Sequence, residues 1–310
     1  MLLKVEGLVK RYDKLVALDY LDLEVKEGEI FGLLGPNGSG KTTAINCILS
    51  LLKYDKGSIE IFGKPMTPNA YDIKKDIGII MQNVAVFDEL TVYENISYFC
   101  SLYIKDKAEV KRLTEEAIEF VSLEDYKKFY PKKLSGGLLR RLNIACGIVH
   151  KPKLIILDEP TVAVDPQTRN KILEGIKKLN EEGATIIYTS HYMEEVEQLC
   201  SNIAIIDKGR VIAKGTKEEL KAMISLGEKI TVETYRIEDA KLNGIKELPG
   251  IYSAMYHDNL LEIKSKKGRN NLVTVLQYLS DQDVKFGKVI TEQPTLNDVF
   301  LEITGKELRD

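Results

Sequence analysis

Two glycine-rich segments, well separated in the chain, carry most of its visible chemistry. The first, GPNGSGKTT, runs through Gly35, Pro36, Asn37, Gly38, Ser39, Gly40, Lys41, Thr42 and Thr43 and has the spacing of a phosphate loop. Glycine permits the positive φ angles that let backbone amides wrap a triphosphate. Lys41 would then reach the β and γ phosphates, and Thr42 would ligate magnesium. The second segment, LSGG, ends in Ser135, Gly136 and Gly137 and opens a helix, which makes another anion cradle. One nucleotide needs only one phosphate loop. The surplus cradle therefore points to a second nucleotide and to a protein that works as a pair.

Between these segments and the remaining acidic groups the chain must bring distant residues together. LIILDE, Leu154 to Glu159, is an apolar strand ending in two carboxylates, as a second magnesium contact and a base require at the carboxyl end of a parallel sheet. Asp158 would hold the metal through water, and Glu159 would polarise the attacking water.

The elements that would position these groups follow from periodicity. Alternation at Leu3, Val5 and Leu8 and across Leu15 to Val25 reads as antiparallel strands. Ile30 to Leu34 is a short apolar strand that ends in the glycine loop, and a helix starts at Lys41, the context a phosphate loop needs. Further strands are expected at Ile77 to Met81, Leu154 to Leu157, Ala184 to Ser190, Ile203 to Ile206 and Arg210 to Ala213. Helices are expected at Asp106 to Val121, Leu138 to Val149, Gln167 to Asn180 and Lys217 to Ile224. Alternating β and α with continuous apolar runs argues a parallel sheet covered on both faces. After a glycine and charge break at Gly227 to Lys229, strands near Ile230 to Tyr235, Ile251 to Tyr256, Leu260 to Lys264 and Val284 to Ile290 alternate with helices at Asn271 to Leu279 and Leu296 to Ile303. That tail reads as a small α+β module without a chemical motif.

Taken in order, GPNGSGKTT, LSGG and LIILDEP resemble the nucleotide-binding subunit of ATP-binding cassette (ABC) transporters over roughly residues 1–225. The resemblance implies an α/β fold: a P-loop NTPase cassette with a mixed sheet core, an antiparallel β subdomain and a helical subdomain at about 83–150. The small α+β domain occupies 226–310. It also implies ATP and Mg2+ as ligands. Tyr12, with Val16 beside it, matches the aromatic that stacks on adenine. Gln82 matches the glutamine that senses magnesium and the attacking water, and His191 the switch histidine that hydrogen-bonds the γ phosphate. Asp165 in EPTVAVDP matches the aspartate that crosses a dimer interface, and Ser135, Gly136 and Gly137 match the signature that closes over the opposite subunit's γ phosphate. Leu138 departs from the family's usual glutamine and removes a hydrogen-bonding side chain from the helix start. Arg140 and Arg141 follow it, as a phosphate-facing pair or a solvated helix face.

Composition sets the class. The 310 residues are 44% apolar and 29% charged, which is ordinary for a globular protein and suggests neither disorder nor a fibrous design. Lys plus Arg number 44 against 47 Asp plus Glu, a net charge of -3 without the basic excess that nucleic acid would call for. Four cysteines, with no CxxC spacing, read as free core thiols in a reducing compartment. The N-terminal stretch alternates apolar and charged residues and lacks the pattern of a signal peptide, and no window approaches the roughly 18 apolar residues of a membrane span. The expectation is a cytoplasmic protein, peripheral on the inner face of the membrane and bound there through integral permease subunits.

The closing PTLNDVFLEITG, Pro294 to Gly305, resembles the ATP-binding subunits of bacterial drug, antibiotic and lantibiotic exporters, which implies export through separate membrane subunits by a homodimer or paired cassette. Two alternatives stand beside that reading. A soluble ABC ATPase of repair, translation or cluster assembly would need a coiled-coil arm or zinc cysteines, which the chain lacks. A nucleotide-gated module with little turnover is permitted by Leu138 and opposed by Glu159 and His191. Contact with a permease, dimerisation and regulation all remain open as roles of the C-terminal module.

Overall fold

The computed structural model of the chain describes residues 1–268 and 271–305. Contacts divide the described residues into two compact units, one from Met1 to Lys217 and the other beginning at Glu218. The division falls a full helix before the boundary at 225 expected from the sequence.

The first unit opens with β1 (Leu3–Tyr12), β2 (Leu15–Val25) and β3 (Ile30–Leu34), followed by α1 (Lys41–Ile48). Then come β4 (Lys56–Ile61), β5 (Lys64–Pro65), α2 (Tyr71–Lys74) and β6 (Ile77–Ile80). A helical stretch contains α3 (Val92–Ser101), α4 (Lys107–Phe120) and α5 (Gly136–Ile148). Thr91 caps α3 in a reciprocal box with Glu94, and Asp106 caps α4 by accepting the Glu109 amide, so both starts are written locally. The unit finishes with β7 (Leu154–Asp158), α6 (Pro166–Glu181), β8 (Thr185–Ser190), α7 (Met193–Leu199), β9 (Asn202–Asp207) and β10 (Arg210–Gly215).

Two sheets organise these elements. An antiparallel sheet has the order β2-β1-β4-β5, and its alternating apolar residues, such as Leu3, Val5, Leu21 and Leu23, join Phe31, Leu33 and the buried face of α1 in one core. The second sheet has the order β10-β9-β3-β8-β7-β6 and is parallel except for its β10 edge. Its central strands β3, β7 and β8 are buried along their whole length, as expected of a parallel sheet covered on both faces. Their carboxyl ends deliver Gly35, Asp158 and Ser190 to one edge, where ligands bind in open α/β sheets.

The second unit consists of α8 (Lys217–Met223), β11 (Leu226–Thr234), α9 (Asp239–Lys246), β12 (Ile251–His257), β13 (Leu260–Lys266), α10 (Asn271–Asp281), β14 (Phe286–Glu292) and α11 (Leu296–Thr304). Its strands form one antiparallel sheet of order β12-β13-β11-β14 over a core that includes Ile230, Val232, Ile245, Leu261, Ile263, Val275 and Leu279. The break expected at Gly227 to Lys229 lies inside β11. Gly227 is needed there for close approach, because a Cβ would sit 2.5 Å from the Lys266 carbonyl of the neighbouring strand. The expected elements also omit α9, α3 and α7; α3 carries a readable helical period at Val92, Ile96, Phe99 and Cys100, whereas α7 and α9 are short.

Candidate active site

The phosphate loop joins β3 to α1 and is tied from behind. Ser39 donates its amide to the Pro36 carbonyl at 3.1 Å, and its own carbonyl accepts the Gly209 amide at 2.8 Å. Gly40 ends the loop with φ 109° and lies so close to β2 that a Cβ would come within 2.8 Å of the Ala17 carbonyl. The loop's crest at Asn37 and Gly38 is exposed, while Ser39 and Lys41 are buried. Lys41 Nζ donates to the carbonyls of Gly35 at 2.8 Å and Pro36 at 3.3 Å, and Ser39 Oγ is buried without a hydrogen-bond partner. An orphaned hydroxyl, a lysine and a helix N-terminus in one cradle fit a polyphosphate.

Thr42, one residue on, stands exposed at the first turn of α1, and its hydroxyl donates to Asp158 Oδ2 at 3.0 Å. Asp158 is fully buried, and its other oxygen accepts the Thr189 hydroxyl at 2.7 Å. The donors offered here are hard oxygens, which suits magnesium, a cation that takes few protein ligands and completes its shell with water and substrate phosphate.

Glu159 follows at the strand end with φ 48°, a left-handed conformation that costs about 1–3 kcal/mol for a residue with a side chain. Its amide is held by the Thr189 carbonyl at 3.2 Å and the Thr189 hydroxyl at 3.0 Å, which offsets the strain. The turn aims the carboxylate at three partners. Lys41 Nζ lies 3.2 Å from Oε1, Gln82 Nε2 donates to Oε2 at 3.4 Å, and His191 Nδ1 stands 3.4 Å from Oε2 without hydrogen-bond alignment. Lys41, Thr42, Gln82, Asp158, Glu159 and His191 therefore meet at one place.

The other expected residues sit around it. Tyr12 and Val16 lie at the exposed tip of the β1–β2 hairpin, where Tyr12 pairs with Leu15 and Val16 with Arg11. Val16 adjoins Ala17, whose carbonyl touches the loop at Gly40. Ser135 caps α5 by accepting the Leu138 amide at 3.3 Å, and Asp165 caps α6 by accepting the Thr168 amide at 2.9 Å. The Thr168 amide and hydroxyl hold the Asp165 carboxyl below the usual carboxylate range. These two helix starts adjoin: a Cβ on Gly137 would meet Thr168 Oγ1 at 2.9 Å. Gly136, by contrast, faces open space.

The arginine pair reads differently in three dimensions. Arg140 is buried, 3% exposed, and faces neither phosphate nor solvent; it donates to the carbonyls of Met81, Glu159 and Pro160. Arg141 donates to the carbonyls of Val121 and Ser122. The signal was partly available, since α5 is largely apolar and Arg140 stands among its buried residues, while Arg141 is half-buried.

A second group escaped the sequence altogether. Glu195 on α7, 3% exposed, accepts at Oε2 from the hydroxyls of Tyr188 at 2.6 Å, Thr161 at 2.8 Å and Ser190 at 3.0 Å. Ser190 in turn accepts the Tyr192 amide, so the residues on both sides of His191 hang from this carboxylate. Arg169 of α6 approaches Glu195 Oε1 at 3.3 Å and covers the Tyr192 ring. Burial and the Glu195 charge together push the Tyr188 hydroxyl well above its ordinary pKa. A single glutamate in an acidic stretch gave no hint of this in the sequence.

Residues 18–162 match the ABC transporter family model, and residues 215–304 match the ATP-binding protein DrrA1-3-like C-terminal domain. The linearmycin resistance ATP-binding protein LnrL of Bacillus subtilis (strain 168) is 38% identical over the whole of both chains. The chain belongs to the ATP-binding subunits of ABC transporters. It is 34% identical to the daunorubicin resistance ATP-binding protein DrrA3 of Streptomyces coeruleorubidus, across 98% of this chain and 96% of the relative. The Nod factor export ATP-binding protein I of Ralstonia nicotianae is 32% identical across 100% of this chain and 95% of its own length. Among solved structures, an ATP-binding subunit of an ABC transporter superposes with TM-score 0.67 at 28% identity, covering 72% of this chain and 93% of that one. A dimeric cassette in a post-hydrolysis state with ADP and Pi gives 0.64 at 28% identity, covering 69% of this chain and 98% of that one. The cluster around Glu159 thus belongs to an ABC ATPase. Among the described residues of this cassette no helix is long and apolar enough to cross a membrane.

Proposed function

We propose that this cassette hydrolyses ATP in a dimer with two composite sites and thereby drives export through separate membrane subunits. The observation that carries the hydrolytic part is the convergence on Glu159 of Lys41, Gln82 and His191, next to the Thr42–Asp158 pair. Tyr12 and Val16 receive the adenine on the exposed hairpin. The loop amides of residues 35–43 and Lys41 hold the β and γ phosphates, and Ser39 supplies a hydroxyl that has no other partner. Thr42, Asp158 and Gln82 would hold magnesium, which supplies charge neutralisation on the β and γ oxygens. Glu159 takes the proton of the attacking water, oriented by Gln82, and His191 donates to the γ phosphate.

Ser135, Gly136 and Gly137 complete the partner's site, with Asp165 on the adjoining helix start lying across the same interface. Gly136 faces open space, as a backbone that must approach a phosphate should. Export rests on the relatives, whose names tie them to linearmycin and daunorubicin resistance and to Nod factor export. The integral permease subunits and a station on the inner membrane face follow from the same reading.

The test is ATP-dependent uptake of linearmycin or daunorubicin into inverted vesicles from cells that express the chain with its neighbouring membrane subunit. Uptake with the native chain and none with Glu159→Gln supports the reading. Equal uptake with both overturns it.

A further inference from the structure

Arg140 lies one turn into α5 from the signature glycines. With a rise of about 1.5 Å per residue, its Cα is only about 6 Å along the helix axis from that of Gly136. Its guanidinium makes three hydrogen bonds at 2.7–2.8 Å, each to a different backbone carbonyl. Met81 precedes Gln82; Glu159 is the base; Pro160 begins the segment that leads to Asp165. Among the described residues no side-chain carboxylate is hydrogen-bonded to it, so its grip is on the backbone. Asn143, 5% exposed on the same face of α5, extends that grip by accepting the Ala85 amide at 3.1 Å and reaching the Met81 carbonyl at 3.5 Å. The start of α5 and the backbone that aims Glu159 and Gln82 therefore move as one piece or break these bonds.

We infer that Arg140 is the positioning residue through which the two nucleotide sites of the dimer sense each other. The inference rests on the proposed role of Ser135 to Gly137 at the partner's nucleotide. When that segment closes on the partner's γ phosphate, the displacement of α5 passes through the guanidinium fork to the carbonyl of Glu159, whose left-handed backbone sets the direction of the carboxylate. One chain's grip on its partner's ATP thus aligns the base for its own. A planar fork with five donors serves three diverging carbonyls, whereas an ammonium on a flexible stem does not hold all three in one geometry.

The experiment compares the native chain with Arg140→Lys and Asn143→Ala, measuring phosphate release against ATP concentration and binding of a fluorescent ATP analogue without magnesium. The native chain should give a sigmoidal curve with a Hill coefficient approaching about 2, the number of sites. Arg140→Lys should bring it to about 1 and lower kcat about tenfold to a hundredfold, since small misplacements of a base are costly, while analogue affinity stays within about twofold. A purely structural arginine would lower the melting temperature and leave the Hill coefficient alone. If Arg140→Lys does not melt cooperatively, Asn143→Ala carries the test, with an expected fall in the Hill coefficient. Native cooperativity in a folded Arg140→Lys protein, loss of analogue binding in it, or a native chain that hydrolyses ATP without cooperativity overturns the inference. A native chain without hydrolysis would instead remove the composite-site reading beneath it.

Discussion

The Lys41 ammonium lies 3.2 Å from Glu159 Oε1, and both side chains are buried, so the loop's cation and the strand-end base neutralise each other across a long sequence separation. The carboxylate and the Gly35 and Pro36 carbonyls are acceptors that a phosphate has to replace. Glu159→Gln removes both the base and the charged competitor. Turnover should fall by about 10²–10⁴, while ATP affinity is retained or increased. Phosphate release and equilibrium binding of a fluorescent ATP analogue measure the two quantities, and unchanged turnover would show that Glu159 is not the base.

Glu195→Gln tests whether the carboxylate beneath His191 contributes to catalysis through it. Hydrogen bonds to a charged group are worth about 1.5–3 kcal/mol each, so weakening three of them at one oxygen should lower the melting temperature by several degrees. The release of Ser190 and Tyr192 should also cut kcat about tenfold with KM for ATP nearly constant. A lower melting temperature with full kcat would make Glu195 a purely structural residue.

Protonation of His150 should set an acid limit on stability. Its ring stacks on Tyr103 at 3.9 Å, Nε2 meets the Ile77 carbonyl at 3.2 Å, and Nδ1 is buried without a partner. Burial holds its pKa below the ordinary 6.5, which the nearby carbonyl and Asp76 only partly oppose. The unfolded chain then binds the proton more readily. The stabilising contribution is complete above about pH 6.5 and is lost as pH falls through that value toward the lower folded pKa. Melting temperatures from pH 7.5 to 5.5 should drop less steeply for His150→Phe, which keeps the stack. Parallel curves for the two proteins would contradict this.

Tyr12→Ala should raise KM for ATP while kcat stays close to native. The ring is 45% exposed at the hairpin tip, with Lys10 Nζ over it at 5.0 Å, and stacking of a base on such a ring is worth about 1–3 kcal/mol, or about fivefold or more in affinity. Comparing ATP with inorganic triphosphate isolates the effect, because a nucleobase contact leaves binding of the latter unchanged.

Local rules made much of the architecture legible. Ile30 to Leu34 followed by Gly35 to Thr43 announced a strand, an anion loop and a helix, because glycine spacing and apolar runs act over a few residues. LIILDE likewise announced a buried strand with acidic groups at its end. The seven-residue α7 and the start of β11 back through Gly227 were not legible, since short periods are ambiguous and the tight pairing at Gly227 is a property of two strands.

The sequence by itself determined which chemical groups are on offer: a phosphate loop at Gly35 to Thr43, a strand ending in Asp158 and Glu159, and a second glycine-rich helix start at Ser135. Only the tertiary structure decided how those parts are held. Glu159 is aimed by a left-handed turn secured from Thr189, Arg140 leaves the surface to grip three carbonyls, and Glu195 supports both neighbours of His191. The physical reason is that a buried charge must find partners wherever the fold supplies them. Those partners here lie on separate strands and helices, and no spacing along the chain records their approach.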